Sequence, residues 1–221
     1  MLPAQHLLEL QADWLAPARS RALRQAEIGR RRRVLDLGCG FGAVTEELQR
    51  RCGGIAVALD RDPAAVRAAA GERLLGLAQS LPLATRSIDL LFAQFSFLWM
   101  PMAAVAEAAR VLSTDGVIVA LEPDYDGLIE WPADAVTREL WLAALKRAGA
   151  EPLIGRQLPG RFAACGLRVE VELLNTLAPP VAERLDFLRE LPLTDAERAR
   201  LTDAAAATVA HLPVFIVTAR W

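Results

Sequence analysis

The sequence predicts an α/β fold, a mostly parallel seven-stranded sheet with helices on both faces. Three observations predict it. Short aliphatic runs alternate with helical stretches along the chain, as in repeated strand-helix units. One of these runs, Val34-Leu35-Asp36-Leu37, leads into a glycine turn, Gly38-Cys39-Gly40-Phe41-Gly42, and then into a helix. Carboxylates, Asp36 and Asp60, stand at the ends of the first two runs. A strand, a glycine turn and a helix start form a nucleotide-type ligand site. The glycines let the backbone approach a ligand closely, and the free N–H groups at the helix start face it.

Composition bounds the remaining possibilities. The 221 residues are 53% hydrophobic and 24% charged, enough for one domain with a full core. A net charge of −2 argues against a surface built to attract nucleic acid. No apolar run reaches the ~20 residues of a membrane span, and the N-terminus lacks a signal-peptide pattern. Cys39, Cys52 and Cys165 have no metal-ligand spacing and fit a reducing cytoplasm.

In chain order, residues 5–30 read as one or two helices. Leu7, Leu8, Leu10, Trp14 and Leu15 recur at helical spacing, and Pro17 breaks or restarts the helix. Such a helix either packs at the edge of the domain or closes over the ligand mouth, and His6 reads as one of its packing residues. The run Arg30 to Arg33 reads as a solvated boundary, since no aromatic residues interleave with it to stack bases. The first strand follows, then the glycine turn and a helix from Ala43 to about Arg51, with Val44 and Leu48 inward.

The turn alone is ambiguous, because Gly38-x-Gly40-x-x-Ala43 also fits a dinucleotide fingerprint. Asp36 separates the readings. A carboxylate there repels a pyrophosphate but suits a ligand carrying an ammonium group, as S-adenosylmethionine does. With Val34-Leu35-Asp36-Leu37-Gly38-Cys39-Gly40-Phe41-Gly42 the sequence resembles the class I S-adenosylmethionine-dependent methyltransferases, of the type 11-like small-molecule kind. That family's first motif is (V/L)LDxGCGxG. The resemblance implies a Rossmann-like sheet whose last strand is antiparallel, with S-adenosylmethionine as cofactor.

The second strand, Ile55 to Leu59, ends in Asp60, eighteen residues after Gly42. An acid there accepts both hydroxyls of a ribose, and Arg61 stands beside it. Asp62-Pro63 starts a helix running to Glu72. Arg73 to Ala78 is a weaker third strand. The segment Ala78-Gln79-Ser80-Leu81-Pro82-Leu83 resembles the family's adenine-holding D-A-x-x-L-P-F, with Leu77 in place of its aspartate. Adenine recognition would then rest on the backbone of Ala78, apolar contacts and Gln79.

Ser87 to Ala93 is a buried fourth strand, resembling the family's SFDLV. Gln94, Phe95, Phe97 and Trp99 leave its carboxyl end, where open α/β sheets bind ligands. A helix from Met102 to Leu112 contains Glu107 and Arg110, a match to the family's E-x-x-R-V-L, and a turn over Ser113 to Gly116 precedes the fifth strand, Val117 to Leu121. Glu122-Pro123-Asp124-Tyr125 follows, lining a polar substrate mouth or capping the next helix.

Beyond lie a helix over Ala133 to Ala148, a loop and short helix over Gly155 to Leu167, and a half-buried strand, Arg168 to Leu174. Two further helices follow over 179–210, the second capped by Thr194 or Asp195, and a last strand spans Pro213 to Ala219. The domain divides into a helical cap (1–32), a cofactor-binding core (33–126) and a C-terminal half (127–221) with a substrate-side insertion at about 176–210.

The candidate cofactor residues are therefore Asp36, Gly38, Cys39, Gly40, Gly42, Asp60, Arg61, Ala78, Gln79 and Gln94. Phe97, Trp99, Glu122 and Tyr125 are candidates for the substrate pocket, with Phe95 and Trp131 as further aromatics. Methyl transfer is an in-line displacement from an activated sulfonium and requires no obligatory acid-base pair, so His211, Tyr125 and Asp124 are only candidates for a catalytic base. No metal site is expected. The D/N-P-P-Y/F segment of nucleic-acid amino-methyltransferases is replaced by Gln94-Phe95-Ser96-Phe97, and no cysteine follows a proline. A small-molecule acceptor is the expectation, on a monomer or homodimer without nucleic-acid or membrane partners. A non-catalytic S-adenosylmethionine-binding partner and an NAD-type dehydrogenase are the alternatives.

Overall fold

The computed structural model describes residues 3–175, 182–203 and 207–221. Its main sheet has seven strands in the order β3-β2-β1-β4-β5-β9-β7. The central strands are β1 (Arg33–Leu37), β4 (Ile88–Gln94) and β5 (Leu112–Pro123). They are near-continuous apolar runs, as parallel strands covered on both faces must be. β2 (Ile55–Asp60) and β3 (Glu72–Leu75) extend the sheet on one side. On the other side β9 (Val214–Arg220) pairs antiparallel with β5, and β7 (Arg168–Leu173) closes that edge. The chain thus turns outward from β1 through β2 to β3, then crosses back to β4. The reversal leaves a crevice at the carboxyl ends of β1 and β4, the place where such sheets bind ligands.

Helices cover both faces. α1 (Gln5–Gln25) is one continuous helix, so Pro17 does not break it. Pro17 and Asp13, whose carbonyl loses its partner, both lie on the solvent side, while Leu15, Ala18, Ala22 and Leu23 bury the opposite stripe. His6 is exposed on this helix rather than packed. α2 (Thr45–Arg51) starts two residues later than expected, because residues 40–44 are spent on the glycine turn. α3 (Pro63–Ala68) is capped by Asp62, which accepts from the amides of Ala64 (2.8 Å) and Ala65 (3.3 Å). It ends four residues before the expected Glu72. Gly71, at φ +76°, turns the chain so that Glu72 pairs with Val57.

α4 (Ala103–Val111) runs directly into β5. The turn expected at 113–116 is instead a bulge within that strand, where the register jumps between Ile88–Leu112 and Leu90–Val117. α5 (Arg138–Arg147) begins later than the expected Ala133, where the buried carboxylate of Glu130 accepts from Thr137 and Arg138. α6 (Ile154–Ala164) is longer than expected and continues through Pro159, its stripe Ile154, Leu158 and Phe162 buried.

On β7, Val171 and Leu173 are exposed despite their clean alternation, because an edge strand has fewer neighbours to cover it. A two-stranded ribbon of β6 (Ile129–Trp131) and β8 (Val209–His211) was not legible in advance. α7 (Asp186–Arg189) and α8 (Asp195–Asp203) follow. Thr194 caps α8 in a reciprocal box with Glu197. Of the expected insertion at 176–210, residues 176–181 and 204–206 lie outside the described residues.

The arginine run is a largely exposed boundary, as expected, and three of its side chains bond locally. Arg30 pairs with Glu27, Arg31 donates to the carbonyls of Ala26 and Asp115, and Arg32 to that of Gly53. Among the described residues no helix is long and apolar enough to cross a membrane.

Candidate active site

The crevice at the carboxyl ends of β1, β2 and β4 forms a cleft. At one end lies the glycine turn. Gly38 (φ +75°) approaches Ser96 so closely that a Cβ would stand 2.8 Å from that side chain, and Gly40 has φ +51°. Asp60 accepts from the amides of Gly40 (3.0 Å) and Asp62 (2.9 Å), which ties the glycine turn to the end of β2. Two of its roughly four acceptor sites are thus in use.

Asp36 is buried and accepts from the Thr45 hydroxyl at 2.6 Å. Desolvation pushes its carboxyl up to about 6, against the opposing pull of Thr45 and of the Arg19 guanidinium. Cys39 lines the same end, its thiol pushed up by burial and by Asp36 and Asp60, so it is no thiolate nucleophile.

Arg19 was missed by the sequence reading. It is a buried cation on α1, bonded to Glu47 (2.8 Å), to the Ala12 carbonyl (2.8 Å) and to the Gln94 side chain (3.1 Å). Its signal was a charge inside the apolar stripe Leu15, Ala18, Ala22, Leu23. Through it the N-terminal helix is fixed to the glycine end, and Leu8, Gln11 and Ala12 of α1 line the cleft. The amide of Ala4 also donates to Glu190 at 2.9 Å, which joins the start of α1 to the chain just past α7. α1 therefore roofs the cleft rather than merely flanking the domain.

The next wall is held by Glu107 and Arg110. Glu107 accepts from the Leu81 amide (2.7 Å), and Arg110 donates to the carbonyls of Leu81 (3.1 Å) and Leu83 (2.9 Å). This pins the segment that brings Ala78 and Gln79 to the cleft. The Glu107 carboxyl is held below its ordinary range, chiefly by the hydrogen bond from Arg110. Leu77 is exposed and does not line the cleft.

The far end is apolar. Trp99, Tyr125, Trp141, Leu145, Phe187 and Leu191 form its walls. Tyr125 stacks on Trp141 with ring centroids 4.8 Å apart, and Trp14 meets Phe95 edge-on at 6.1 Å. Burial pushes the Tyr125 hydroxyl well above its ordinary range, so it stays protonated and available as a donor.

The cleft thus gathers Asp36, Gly38, Cys39, Gly40, Asp60, Arg61, Ala78, Gln79 and Gln94 at one end, and Trp99 and Tyr125 at the other. Six expected positions are elsewhere. Gly42 (φ +84°) packs against Ala69, where a Cβ would come within 2.8 Å. Phe97 is core, edge-on to Phe162 at 5.6 Å, because the single-turn helix over 97–99 rotates it inward while Trp99 points to the cleft. Glu122 lies fully buried beneath that turn. Asp124 is buried in an ion pair with Arg156 and bonded to the Gly127 amide. His211 sits opposite Ile129 on the ribbon, its imidazole held below its ordinary range by burial. Trp131 is exposed on the same ribbon.

Residues 35–120 match the family described as a methyltransferase domain. An uncharacterized methyltransferase of Mycobacterium tuberculosis, Rv3342, is 33% identical over 195 residues, covering 85% of this chain and 72% of the relative. The chain belongs to the S-adenosylmethionine-dependent methyltransferases. Among solved structures, the YcgJ protein of Bacillus subtilis is similar at a TM-score of 0.64 and 18% identity, covering 91% of this chain and 97% of that one. A geranyl diphosphate C-methyltransferase of Streptomyces coelicolor, in complex with Mg2+, geranyl diphosphate and S-adenosyl-L-homocysteine, is similar at 0.60 and 15% identity, covering 95% of this chain and 82% of that one. At these identities the two structures share the fold with this methyltransferase, and substrate is a matter for its own cleft.

Proposed function

We propose that this methyltransferase binds S-adenosylmethionine at the glycine end of the cleft and transfers its methyl group to a small, largely apolar acceptor held at the aromatic end. The observation that carries the reading is the division of one cleft into a charged end at the β1 and β2 termini and an uncharged aromatic end facing it.

The donor set fits the cofactor. Asp36 is a desolvated carboxylate without a full ion-pair partner, suited to the ammonium group. Asp60 retains acceptor capacity on both oxygens for the ribose hydroxyls. Leu59, Gly76 and Ala78 offer the base an apolar slot beside Gln79. When bound, S-adenosylmethionine supplies a methyl group already activated on a sulfonium. The protein's part is then to align and to exclude water. α1 roofs the cleft, Arg19 holds Gln94 and the glycine end in place, and Trp99 and Trp141 shape the acceptor's position. The Tyr125 hydroxyl can orient an acceptor heteroatom by donating to it.

The acceptor end carries no charged side chain among the described residues lining it, and the net charge is −2. Both support a small molecule over a nucleic acid. The reading extends to a cytoplasmic enzyme, monomeric or homodimeric, and is supported there by three unpaired cysteines. It keeps residues 1–32 as a helical cap, 33–126 as a cofactor-binding core that also supplies Trp99 and Tyr125 to the acceptor end, and 127–221 as a C-terminal half with a substrate-side insertion at about 176–210.

Calorimetric titration with S-adenosylmethionine, S-adenosylhomocysteine and NAD tests the cofactor. Micromolar binding of the first two is expected. Binding of NAD alone, by folded protein, would overturn the assignment. Labelled methyl transfer to a panel of apolar and aromatic small molecules, set beside RNA and protein, tests the acceptor. Label found only on a macromolecule would refute the small-molecule reading.

A further inference from the structure

Glu122 is fully buried at the end of β5, yet among the described residues it has no cationic partner. Its Oε1 accepts from the amides of Ser96 and Phe97, both at 2.9 Å, and Oε2 from that of Leu98 at 3.4 Å. Three consecutive N–H groups therefore converge on one carboxylate, twenty-four to twenty-six residues away in sequence. They belong to the turn that follows β4, which begins at Phe95 with φ +51°, a conformation unfavourable for a residue with a Cβ. The same turn delivers Ser96, Leu98, Trp99 and Met100 to the cleft. On its other side Ser96 donates to the Gly38 carbonyl at 3.2 Å, so the turn is wedged between the glycine end and Glu122.

We infer that Glu122 is a positioning residue: its buried carboxyl clamps the 96–98 amides and thereby holds Trp99 and Ser96 as the wall shared by the two ends of the cleft. A buried carboxyl without a cation is costly, and it persists where the surrounding donors need it. Without an acceptor at this point three buried amides would compete for water, and the left-handed Phe95 would relax. Burial pushes the Glu122 carboxyl up to about 8, so it carries a proton near neutrality and still accepts through Oε1. Tyr125 is the titratable group that faces it, and that hydroxyl ionises far above this range. The inference rests on the reading of the cleft as the cofactor and acceptor site, and the test separates the two.

The test is hydrogen–deuterium exchange on wild type, E122Q and E122M, each also titrated with S-adenosylhomocysteine. The carboxamide oxygen of E122Q can accept from the same two amides, and loop exchange should stay within about threefold of wild type. E122M fills the space without an acceptor, and the 96–98 amides should exchange about a hundredfold faster, with β9 and α6 unchanged. An E122M loop as protected as wild type, or an E122Q loop as loose as E122M, would overturn the inference. Should E122M fail to fold, the pH dependence decides. Loop exchange in the wild type, corrected for intrinsic rates, should change across about pH 8 and be flat in E122Q. A flat wild type would overturn it. Loss of S-adenosylhomocysteine binding by the wild type itself would instead count against the cleft reading and leave the clamp to be judged by exchange alone.

Discussion

The two ends of the cleft are built on opposite principles. At the glycine end, Asp36, Gly38, Gly40 and Asp60 come from two adjacent parallel strands and the turn between them. Each carboxylate is held by a defined partner: Thr45 on Asp36, the Gly40 and Asp62 amides on Asp60. At the aromatic end, Trp99, Tyr125, Trp141 and Phe187 arrive from four separate segments, and they meet through packing and ring stacking. Close approach to a ligand by backbone demands a particular run of residues in sequence. An apolar wall demands only volume and shape, which side chains from anywhere in the chain supply. The first end is therefore a motif, and the second is an assembly.

Substitutions can separate the ends. The largest effect is expected for Asp60→Ala, which removes the acceptor for the ribose hydroxyls and loosens the Gly40 amide. S-adenosylhomocysteine affinity should fall about a thousandfold, or about 4 kcal/mol, by calorimetry. The near-ultraviolet signal of the Tyr125–Trp141 stack should be unchanged. Trp141→Ala should do the reverse. Loss of a nearly buried aromatic should lower stability by about 3 kcal/mol in urea unfolding, with cofactor affinity within about threefold. If both variants lost cofactor binding equally, the ends would not be separable.

Asp36→Asn sharpens the comparison through pH. The Asp36 carboxyl is raised from an ordinary value near 4 to about 6 in the folded protein. The folded state thus binds this proton more tightly than the unfolded state. This group's cost to stability is absent below pH 4, grows as pH rises to about 6, and is constant above that. In Asp36→Asn that slope should vanish, and the ligand-free protein should gain on the order of 2 kcal/mol at pH 8. Cofactor binding should weaken in the same variant. In the wild type, cofactor affinity should fall about tenfold per unit below pH 6, as the carboxylate that pairs with the ammonium group is protonated. A more stable Asp36→Asn protein that still bound the cofactor normally would break the proposed pairing.

The smallest effect is expected for His211→Ala. His211 stands on the β6–β8 ribbon and does not line the cleft. Cofactor affinity and turnover should stay within about twofold of wild type across pH 6–8. A lost acidic limb in the rate profile would restore it as a base.

Much of this molecule was legible in the chain. The strands of the main sheet and the glycine turn follow from local pattern, since each buried parallel strand is a short apolar run and the glycine turn has its own residue chemistry. Asp36 and Asp60 were visible because they stand at strand ends, and the Glu107–Arg110 pair through its match to the family's motif. Sequence pattern was weakest where neighbours decide. Pro17 lies in an unbroken helix because packing on both sides outweighs one missing hydrogen bond. Val171 and Leu173 alternate like core residues, and their edge position leaves them exposed. Phe97 and Trp99 are two residues apart in the same turn, yet one enters the core and the other the cleft. Arg19 reaches Glu47 and Gln94, and Glu122 the 96–98 amides, only in the assembled fold, and nothing nearby in sequence announces those partners. The sequence by itself determined the α/β scaffold and the charged end of the site, because backbone conformation and strand-end position are local properties. Only the tertiary structure decided which side chains wall the aromatic end and which buried polar groups hold it, because those contacts depend on distances between elements that the linear chain does not contain.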